Sequence, residues 1–211
     1  RIQTPVIVMS DLDLGMNDHM SEQLDWDDDH RYDRGKVLNR EQLDEIEKFG
    51  RYLDVDEDGI CYRTYPGTHP EKGAFFTRGT SRDRYAIYSE QGDVYVDNVD
   101  RLNRKFQTAA KLIPAPEINL TDKSNKAGLI YYGTTSAAIQ ETLDLLETKG
   151  IKVDTLRVRA FPFNGEVEQF IDNHETLFVI EQNRDGQLRT LLVNELEIHP
   201  KKLVKVLHYD G

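Results

Sequence analysis

The chain has 211 residues, of which 38% are hydrophobic and 31% charged, and its formal net charge is −11 at pH 7. Such a surface repels polyanions, so neither a nucleic acid nor an anionic membrane is expected as a partner. No apolar run approaches the roughly 20 residues that cross a membrane. The single cysteine, Cys61, excludes an internal disulfide and a four-cysteine metal or iron–sulfur site, and it favours a reducing compartment such as the cytoplasm.

The first region, 1–15, is predicted to be a strand followed by an acidic loop. Residues 5–10, PVIVMS, form a continuous apolar run that is typical of a strand buried on both faces. The acidic loop is DLDLGMND. The chain begins with Arg1 rather than Met, and nothing in the sequence precedes this strand to pair with it. We therefore expect the chain to be a fragment of a longer polypeptide.

The second region, 16–126, is predicted to be irregular apart from two helices. Asn39 and Gln42 form a capping box ahead of an apolar stripe, which predicts the first helix. The second helix is expected over about 93–113, ended by Pro114. Its predicted apolar face consists of Val99, Leu102, Phe106, Ala110 and Ile113. The residues after it, 114–126, are expected to form a linker.

The third region, 127–211, alternates between strand and helix patterns. Strands are predicted at AGLIYYG, IKVDTLRVRAF, TLFVIEQN and LVKVLHY, and helices at SAAIQETLDLLETKG, GEVEQFIDNH and DGQLRTLLVNEL. This alternation indicates βαβ units and a mostly parallel sheet. The fold class expected for the chain is therefore α/β, with a small doubly wound domain after a long irregular connecting segment.

The stretch DVDEDGICYRTY, which starts at Asp54, begins like the calcium loop of an EF-hand. The residues that match positions 1, 3, 5 and 6 of that loop are Asp54, Asp56, Asp58 and Gly59. Tyr65 replaces the bidentate Glu at position 12, and Pro66 prevents the exiting helix, so a complete EF-hand is excluded. Two interpretations remain: a weaker Ca²⁺ or Mg²⁺ site, in a calcium-binding interaction module, or a turn whose aspartates hydrogen-bond their own backbone.

Asp11 and Asp13 suggest a second, different chemistry. A buried strand that ends in Asp-x-Asp is typical of Mg²⁺-dependent phosphatases, in which the first Asp is the nucleophile and the second a general acid. That chemistry also needs a lysine and further carboxylates at later strand ends, and the later predicted strands end in YYGTT, RVRAF and IEQN. A strand-end loop without catalytic function is the favoured interpretation.

Two loops at predicted strand ends are the remaining candidates for contacts. The loop in YYGTTSAAI lacks a complete phosphate-binding motif and is expected to be a tight turn, with Thr135 or Ser136 capping the next helix. The loop EQNRDGQL follows a predicted strand at the carboxyl edge of the sheet, where α/β proteins place sites and contacts. Its candidate contact residues are Glu181, Gln182, Asn183 and Gln187.

The sequence resembles the α subunits of 2-oxoacid:ferredoxin oxidoreductases along essentially its whole length. It is most similar to the bacterial 2-oxoglutarate type, in which the electron-acceptor domain is fused ahead of the pyrimidine-binding domain. The segments that carry the resemblance are PVIVMSDLDLGMN, GKVL, RYLDVDEDGICYRTYPGTHP, AFFTRGTSRD, RLNRKFQTAAKLIPAPEI, RVRAFPF, FVIEQNRDGQLRTLL and VLHYDG. The most specific of these are RYLDVDEDGI and FVIEQNRDGQL.

The resemblance implies that the chain is the C-terminal third of such a subunit. Residues 1–15 would be the terminal strand of the pyrimidine domain that binds thiamine diphosphate, and 16–126 a connecting segment. Residues 127–211 would form a small domain like the transketolase C-terminal domain. The parent complex decarboxylates a 2-oxoacid, transfers the acyl group to coenzyme A and reduces ferredoxin.

The resemblance also implies that this fragment is not catalytic. In the family, the glutamate that activates thiamine lies upstream, and the β subunit holds the diphosphate, Mg²⁺ and the [4Fe–4S] cluster. No catalytic or cofactor-binding residue is therefore expected here. The expected role is scaffolding, through contacts with the rest of the α subunit and with the β subunit. The candidate contacts are the loop at Glu181–Leu188 and the aromatic corner at Phe161 and Phe163.

Overall fold

A five-stranded sheet organises the C-terminal half of the chain in the computed structural model, which describes residues 1–18, 20–121 and 125–209. The strands are β1 Glu117–Asn119, β2 Ala127–Tyr132, β3 Asp154–Val158, β4 Thr176–Glu181 and β5 Leu203–Leu207. Their order is β1-β3-β2-β4-β5. Strand β1 is antiparallel to β3, and the other neighbours are parallel. The predicted mostly parallel α/β architecture is confirmed.

Helices cover both faces of this sheet, because successive strand side chains point to opposite sides. Helix α4 (Thr135–Thr148) packs through Ile139 on the face that carries Leu129 and Tyr131. Helices α5 (Gly165–Asn173) and α6 (Gln187–Leu196) pack on the face that carries Ile130 and Val179. The sheet is therefore doubly wound. The order in which the chain adds strands reverses between β2 and β4, and such folds place their sites at this point.

The chain separates into two compact units. The first unit comprises Arg1–Ile7 and Ser21–Leu112, and the second comprises Val8–Met20 and Ile113–Gly211. The first unit contains helix α2 (Arg40–Glu45) and helix α3 (Gly92–Ala110), joined by irregular backbone. The capping box predicted for α2 is present. None of the described helices is long and apolar enough to span a membrane.

The predicted strand at residues 5–10 is wrong for this structure. These residues have no regular structure, and Val6, Ile7 and Val8 are 76%, 80% and 87% exposed. A strand needs a neighbouring strand for its backbone hydrogen bonds, and none of the described residues supplies one here. The acidic loop that was expected next contains helix α1 (Leu12–Met16), whose N-cap is Asp11.

Two further expectations about the second region are corrected. Strand β1 lies inside the predicted linker 114–126, so the sheet begins before residue 127; residues 122–124 lie outside the described part. Helix α3 ends at Ala110, and no residue of its predicted apolar face is fully buried: Leu102 is 37% and Phe106 45% exposed, and the other three are partly buried. Its buried residues are Arg101 and Ala109. The helix packs its polar side inward because the partner there is the acidic turn.

Candidate functional site

The acidic turn at residues 54–60 gathers its three aspartates, as the sequence predicts. Asp54, Asp56 and Asp58 each present a carboxylate oxygen, and these oxygens lie within 4.8 Å of one another. Asp54 accepts hydrogen bonds from the backbone N–H of Gly59 at 3.1 and 3.0 Å, and Asp58 accepts one from Ile60 at 2.7 Å. The aspartates therefore do bond to their own backbone, which is one of the two interpretations left open by the sequence.

The turn also receives positive charge from outside. The Lys36 ammonium lies 2.5 Å from Asp56 Oδ1 and 2.7 Å from Asp58 Oδ1, and it donates to the Ile60 carbonyl at 2.9 Å. Burial lowers the pKa of Lys36, but the hydrogen bonds to the two carboxylates outweigh burial and raise it. Burial likewise raises the pKa of Asp58, yet Lys36 and the Ile60 N–H hold it below its usual range.

Helix α3 holds the other side of the turn. Arg104 donates through Nε and Nη2 to Asp54 Oδ2 at 3.2 and 3.1 Å. Arg101 donates to the Gly59 carbonyl at 3.1 Å, and Thr108 donates to the Asp58 carbonyl at 2.7 Å. Gly59 has φ +79°, and a Cβ there would lie 2.2 Å from the Lys105 backbone nitrogen. Glycine is required because no side chain fits between the turn and the helix.

These contacts bear on whether the turn holds a divalent cation. Calcium needs six to eight oxygen ligands at about 2.3–2.6 Å. The oxygens of Asp56 and Asp58 that would bind it already contact Lys36, and the Asp54 carboxylate is engaged by Arg104 and Gly59. The arrangement fits an internal ammonium ion better than a Ca²⁺ or Mg²⁺ ion. Lys36 and Arg104 were missed by sequence reasoning because they lie far from the turn along the chain.

The loop after β4 forms a hydrogen-bonded polar cluster at the carboxyl edge of the sheet. Glu181 is completely buried and accepts from the backbone N–H groups of Leu188 at 2.7 Å and Arg189 at 3.0 Å. It also accepts from Asn183 Nδ2 at 2.8 Å. A buried carboxylate that binds the first N–H groups of α6 orders that helix, and a contact of Glu181 with a partner stays a prediction.

The neighbouring candidates are arranged around Glu181. Asn183 Oδ1 accepts from the backbone N–H of Gly186 at 2.7 Å, and its Nδ2 approaches the Tyr132 hydroxyl at 3.3 Å. Gln182 is exposed and donates to Thr135 Oγ1 at 3.3 Å. These contacts join the ends of β2 and β4, where the strand order reverses. Gln187 is exposed at the start of α6.

The small-residue loop after β2 is not arranged as a phosphate cradle. Gly133 has φ +60°, and the N-cap of α4 is Thr134, which makes no side-chain capping bond; the capping predicted for Thr135 or Ser136 is wrong. The Thr134 hydroxyl donates to Asp11 Oδ2 at 2.9 Å. A carboxylate already lies at this helix start, where an anion would bind.

Asp11 and Asp13 serve helix α1 in this structure. Asp11 Oδ1 caps the helix by accepting from Leu14 N–H at 3.0 Å, and Asp13 accepts from Asn17 Nδ2 at 2.6 Å. Both carboxylates are exposed. Neither contact involves the lysine that phosphatase chemistry requires. The geometry supports the non-catalytic interpretation of this pair.

The aromatic corner after β3 presents one ring to solvent and one to the core. Phe161 is 50% exposed, whereas Phe163 is partly buried and packs against the core cluster on the α5 side. The two rings meet edge-to-face, with centroids 5.4 Å apart and planes 88° apart. Phe163 therefore anchors the corner, and Phe161 is the ring available for contact.

A buried carboxylate–imidazole pair, which the sequence did not reveal, lies at the amino ends of the parallel strands, opposite the carboxyl edge. Asp154 Oδ2 is 3.1 Å from His174 Nε2, and His174 Nδ1 is 2.6 Å from the Phe170 carbonyl. Burial raises the pKa of Asp154, but hydrogen bonds from Thr121, His174 and Asn125 outweigh it and hold the pKa below its usual range. Every polar atom of the pair has a protein partner, so its role is structural.

Comparison with known proteins identifies relatives along most of the chain. No protein-family model matches. The chain is 30% identical over 178 residues to 2-oxoacid:ferredoxin oxidoreductase 2, subunit alpha, of Aeropyrum pernix, covering 82% of this chain and 26% of that protein. It is 25% identical over 185 residues to the 2-oxoacid:ferredoxin oxidoreductase subunit alpha of Saccharolobus solfataricus. This match covers 86% of this chain and 28% of that protein.

A solved structure shares the fold. It is the 2-oxoglutarate:ferredoxin oxidoreductase from Magnetococcus marinus with 2-oxoglutarate, coenzyme A and succinyl-CoA bound. The TM-score is 0.65 at 20% identity, over 78% of this chain and 28% of that chain. The chain thus spans about a quarter of the length of the curated relatives it matches. It is homologous to 2-oxoacid:ferredoxin oxidoreductase α subunits, which confirms the resemblance.

Proposed function

We propose that this chain acts as the C-terminal part of the α subunit of a 2-oxoacid:ferredoxin oxidoreductase. The observation that carries the proposal is the 30% identity to the Aeropyrum pernix α subunit over 82% of the chain. In the parent complex, a 2-oxoacid is oxidatively decarboxylated, the acyl group is transferred to coenzyme A, and the electrons reduce ferredoxin. The similarity of the sequence to the 2-oxoglutarate type makes 2-oxoglutarate the proposed substrate.

Thiamine diphosphate, Mg²⁺ and the [4Fe–4S] cluster are proposed to bind to other parts of this complex. The residues of this chain support that division. Cys61 is buried, and burial raises the pKa of its thiol, which disfavours the thiolate that binds iron. The α4 start, which would suit a diphosphate, faces the Asp11 carboxylate. The proposed role of the chain is therefore scaffolding and subunit contact, without catalytic activity by itself.

Exposed apolar side chains support the contact role. Val6, Ile7, Val8 and Met9 are consecutive and 76–87% exposed. A contiguous apolar segment on a protein surface usually marks an interaction site. We propose that this segment and the exposed candidate contact residues touch the rest of the α subunit and the β subunit. Those candidates are Phe161 of the aromatic corner and Gln182 and Gln187 of the loop after β4.

The test is assembly in solution. The 211-residue chain is expressed alone and together with the remaining α segment and the β subunit, and masses are measured by light scattering after size exclusion. We expect the chain to co-elute with the other parts. Val8→Asp places a charge in the exposed segment and should abolish co-elution, since a buried unpaired carboxylate is costly at an interface.

Leu145→Asp is the matched control. Leu145 is 57% exposed on α4, so this variant introduces the same charge on a different apolar surface position. It is expected to assemble like the unmodified chain. Oxidative decarboxylation should appear only in the assembled complex. A chain that stays monomeric beside the other parts, or that turns over 2-oxoacids by itself, contradicts the proposal.

A further inference from the structure

A cavity in the first unit is lined by an unusual concentration of positive charge. It has a volume of about 360 Å³, which is within the range of small-molecule sites. Four of its lining residues are cationic, namely Arg51, Arg82, Arg101 and Lys105, and none of the described residues that line it is an Asp or Glu. The chain as a whole carries a net charge of −11, so this cluster is not a consequence of composition.

The guanidinium groups converge on one aromatic ring. The guanidinium carbons of Arg51, Arg82 and Arg101 lie 5.5, 5.4 and 5.9 Å from the centroid of the Tyr52 ring. The ring offsets part of their mutual repulsion, but it carries no full negative charge. Burial, Arg101 and Arg51 lower the pKa of Lys105, and burial also lowers the pKa of Arg51. None of the described residues that line the cavity places a carboxylate among these cations.

Three buried polar atoms of residues that line the cavity also lack partners among the described residues, namely the Ser81 hydroxyl oxygen, the Arg82 Nε and the Arg101 Nε. Ser81 and Arg101 are each only 9% exposed, and both line the cavity. A buried polar group without a partner is costly, so such atoms usually face a ligand or water. All three are of a type that donates to an oxygen.

Among the acidic side chains that line a neighbouring pocket together with Arg101, Asp97 pairs with Arg84 and Asp54 with Arg104. Asp54 lies on the adjoining turn, but its carboxylate is engaged by Arg104 and by the Gly59 N–H. Apolar side chains also line the cavity, including Val99 and Leu102 of helix α3. The cavity thus combines cations without a carboxylate in the described lining, hydrogen-bond donors without partners, and apolar side chains.

We propose that this cavity binds a small oxoanion, a phosphate or carboxylate group carried on a compact organic molecule. Arg51, Arg101 and Lys105 supply the positive charge, Ser81 donates a hydrogen bond, and the apolar side chains of the lining contact the carbon part. Hydrogen bonds of this kind, between charged groups, are about twice as strong as neutral ones. The inference goes beyond the assembly role and does not depend on it, because the site is formed within the first unit.

The test uses the 211-residue chain in isothermal titration calorimetry, with inorganic phosphate and succinate as separate probes against a chloride reference at equal ionic strength. Saturable binding of one anion per chain is expected. Lys105→Gln should weaken binding about tenfold or more, because it removes one charged donor. Lys111→Gln is the matched control, since it makes the same change at an exposed position of the same helix end, outside the cavity.

The two probes separate the sources of the anion. Binding of phosphate alone identifies a phosphoryl ligand, binding of succinate alone identifies a carboxylate, and binding of both supports the shared chemistry. Absence of saturable binding above chloride overturns the proposal, and so does equal affinity in Lys105→Gln and Lys111→Gln. Circular dichroism establishes that the variants fold. Loss of assembly with the other subunits would leave these outcomes unchanged.

Discussion

At the scale of single residues, Lys36 decides the meaning of the acidic turn. Three aspartates within five positions suggest a metal loop in the sequence, but one ammonium group and one guanidinium group pair with them and offset two of the three negative charges. Lys36 contacts two of the carboxylates and a backbone carbonyl, and its side chain is only 20% exposed. The turn therefore needs no ion from solution to relieve the repulsion between its carboxylates.

Replacement of Lys36 by Met is predicted to destabilise the chain by about 1–2 kcal/mol, because two carboxylates lose a charged hydrogen-bond partner. Urea unfolding measures the change. Ca²⁺ at millimolar concentration is expected to restore stability to the variant and to leave the unmodified chain unchanged. Lys126→Met is the control, since Lys126 pairs with Glu175 at 4.0 Å on the exposed surface. Equal Ca²⁺ effects on both chains would contradict the interpretation.

The pH dependence of this contribution follows from the two pKa directions. The pKa of Asp58 is lowered on folding, so its contribution is present above the unfolded pKa near 3.9 and is lost as pH falls through the folded value. The pKa of Lys36 is raised, so its contribution is complete below about 10.4 and is lost as pH rises through the folded value. The difference between Lys36→Met and the unmodified chain should therefore be largest between these limits.

At the scale of elements, helix α6 depends on a carboxylate from the preceding strand. The N-cap residue is Gly186, which has a left-handed backbone and provides no capping side chain. Glu181 replaces the missing cap by accepting two N–H groups of the first turn, and Asn183 closes the loop between them. This contact connects β4 to α6 and positions the whole strand-end loop.

Glu181→Gln is predicted to destabilise the second unit by about 1–3 kcal/mol. The substitution replaces one carboxylate oxygen, which accepts hydrogen bonds, by an NH2 group that faces N–H donors. Thermal unfolding followed by circular dichroism measures the effect. Glu195→Gln is the matched control on the same helix, where the side chain is exposed and a change within about 0.5 kcal/mol is expected. Similar losses in the two variants would show that Glu181 does not act as the cap.

At the scale of the whole molecule, the second unit has its own hydrophobic core. The cluster on the α5 and α6 side and the cluster on the α4 side are built entirely from residues between 127 and 203. All five strands of the sheet also lie after residue 113. A region that contains its sheet and both of its cores is expected to fold independently.

The segment 113–211 is therefore predicted to fold when expressed alone. Far-ultraviolet circular dichroism should show mixed helix and strand, and urea should unfold the segment in one cooperative transition. The segment 21–112 is the comparison, because it lacks such a sheet and is expected to unfold with a smaller dependence on urea. A gradual, non-cooperative change in the segment 113–211 would contradict the prediction.

The local patterns in the sequence were sufficient to predict most of the strands and helices of the second unit. Period-two and helical periodicities between 127 and 207 predicted four strands and three helices, since each element there buries its own apolar face against its neighbours. Strand β1 was missed because three exposed residues carry no such pattern. The capping box at Asn39 was also predicted correctly, because it depends only on two residues three positions apart.

Only the tertiary structure decided which side of helix α3 is buried, which group balances the acidic turn and where Glu181 acts. Periodicity placed the apolar residues of α3 inward, yet the helix packs Arg101 against a turn that lies 42 residues earlier. Lys36 and Asp58 meet across 22 residues. Charge pairing and backbone contacts over such separations depend on how the chain folds back on itself, so composition and spacing alone could not reveal them.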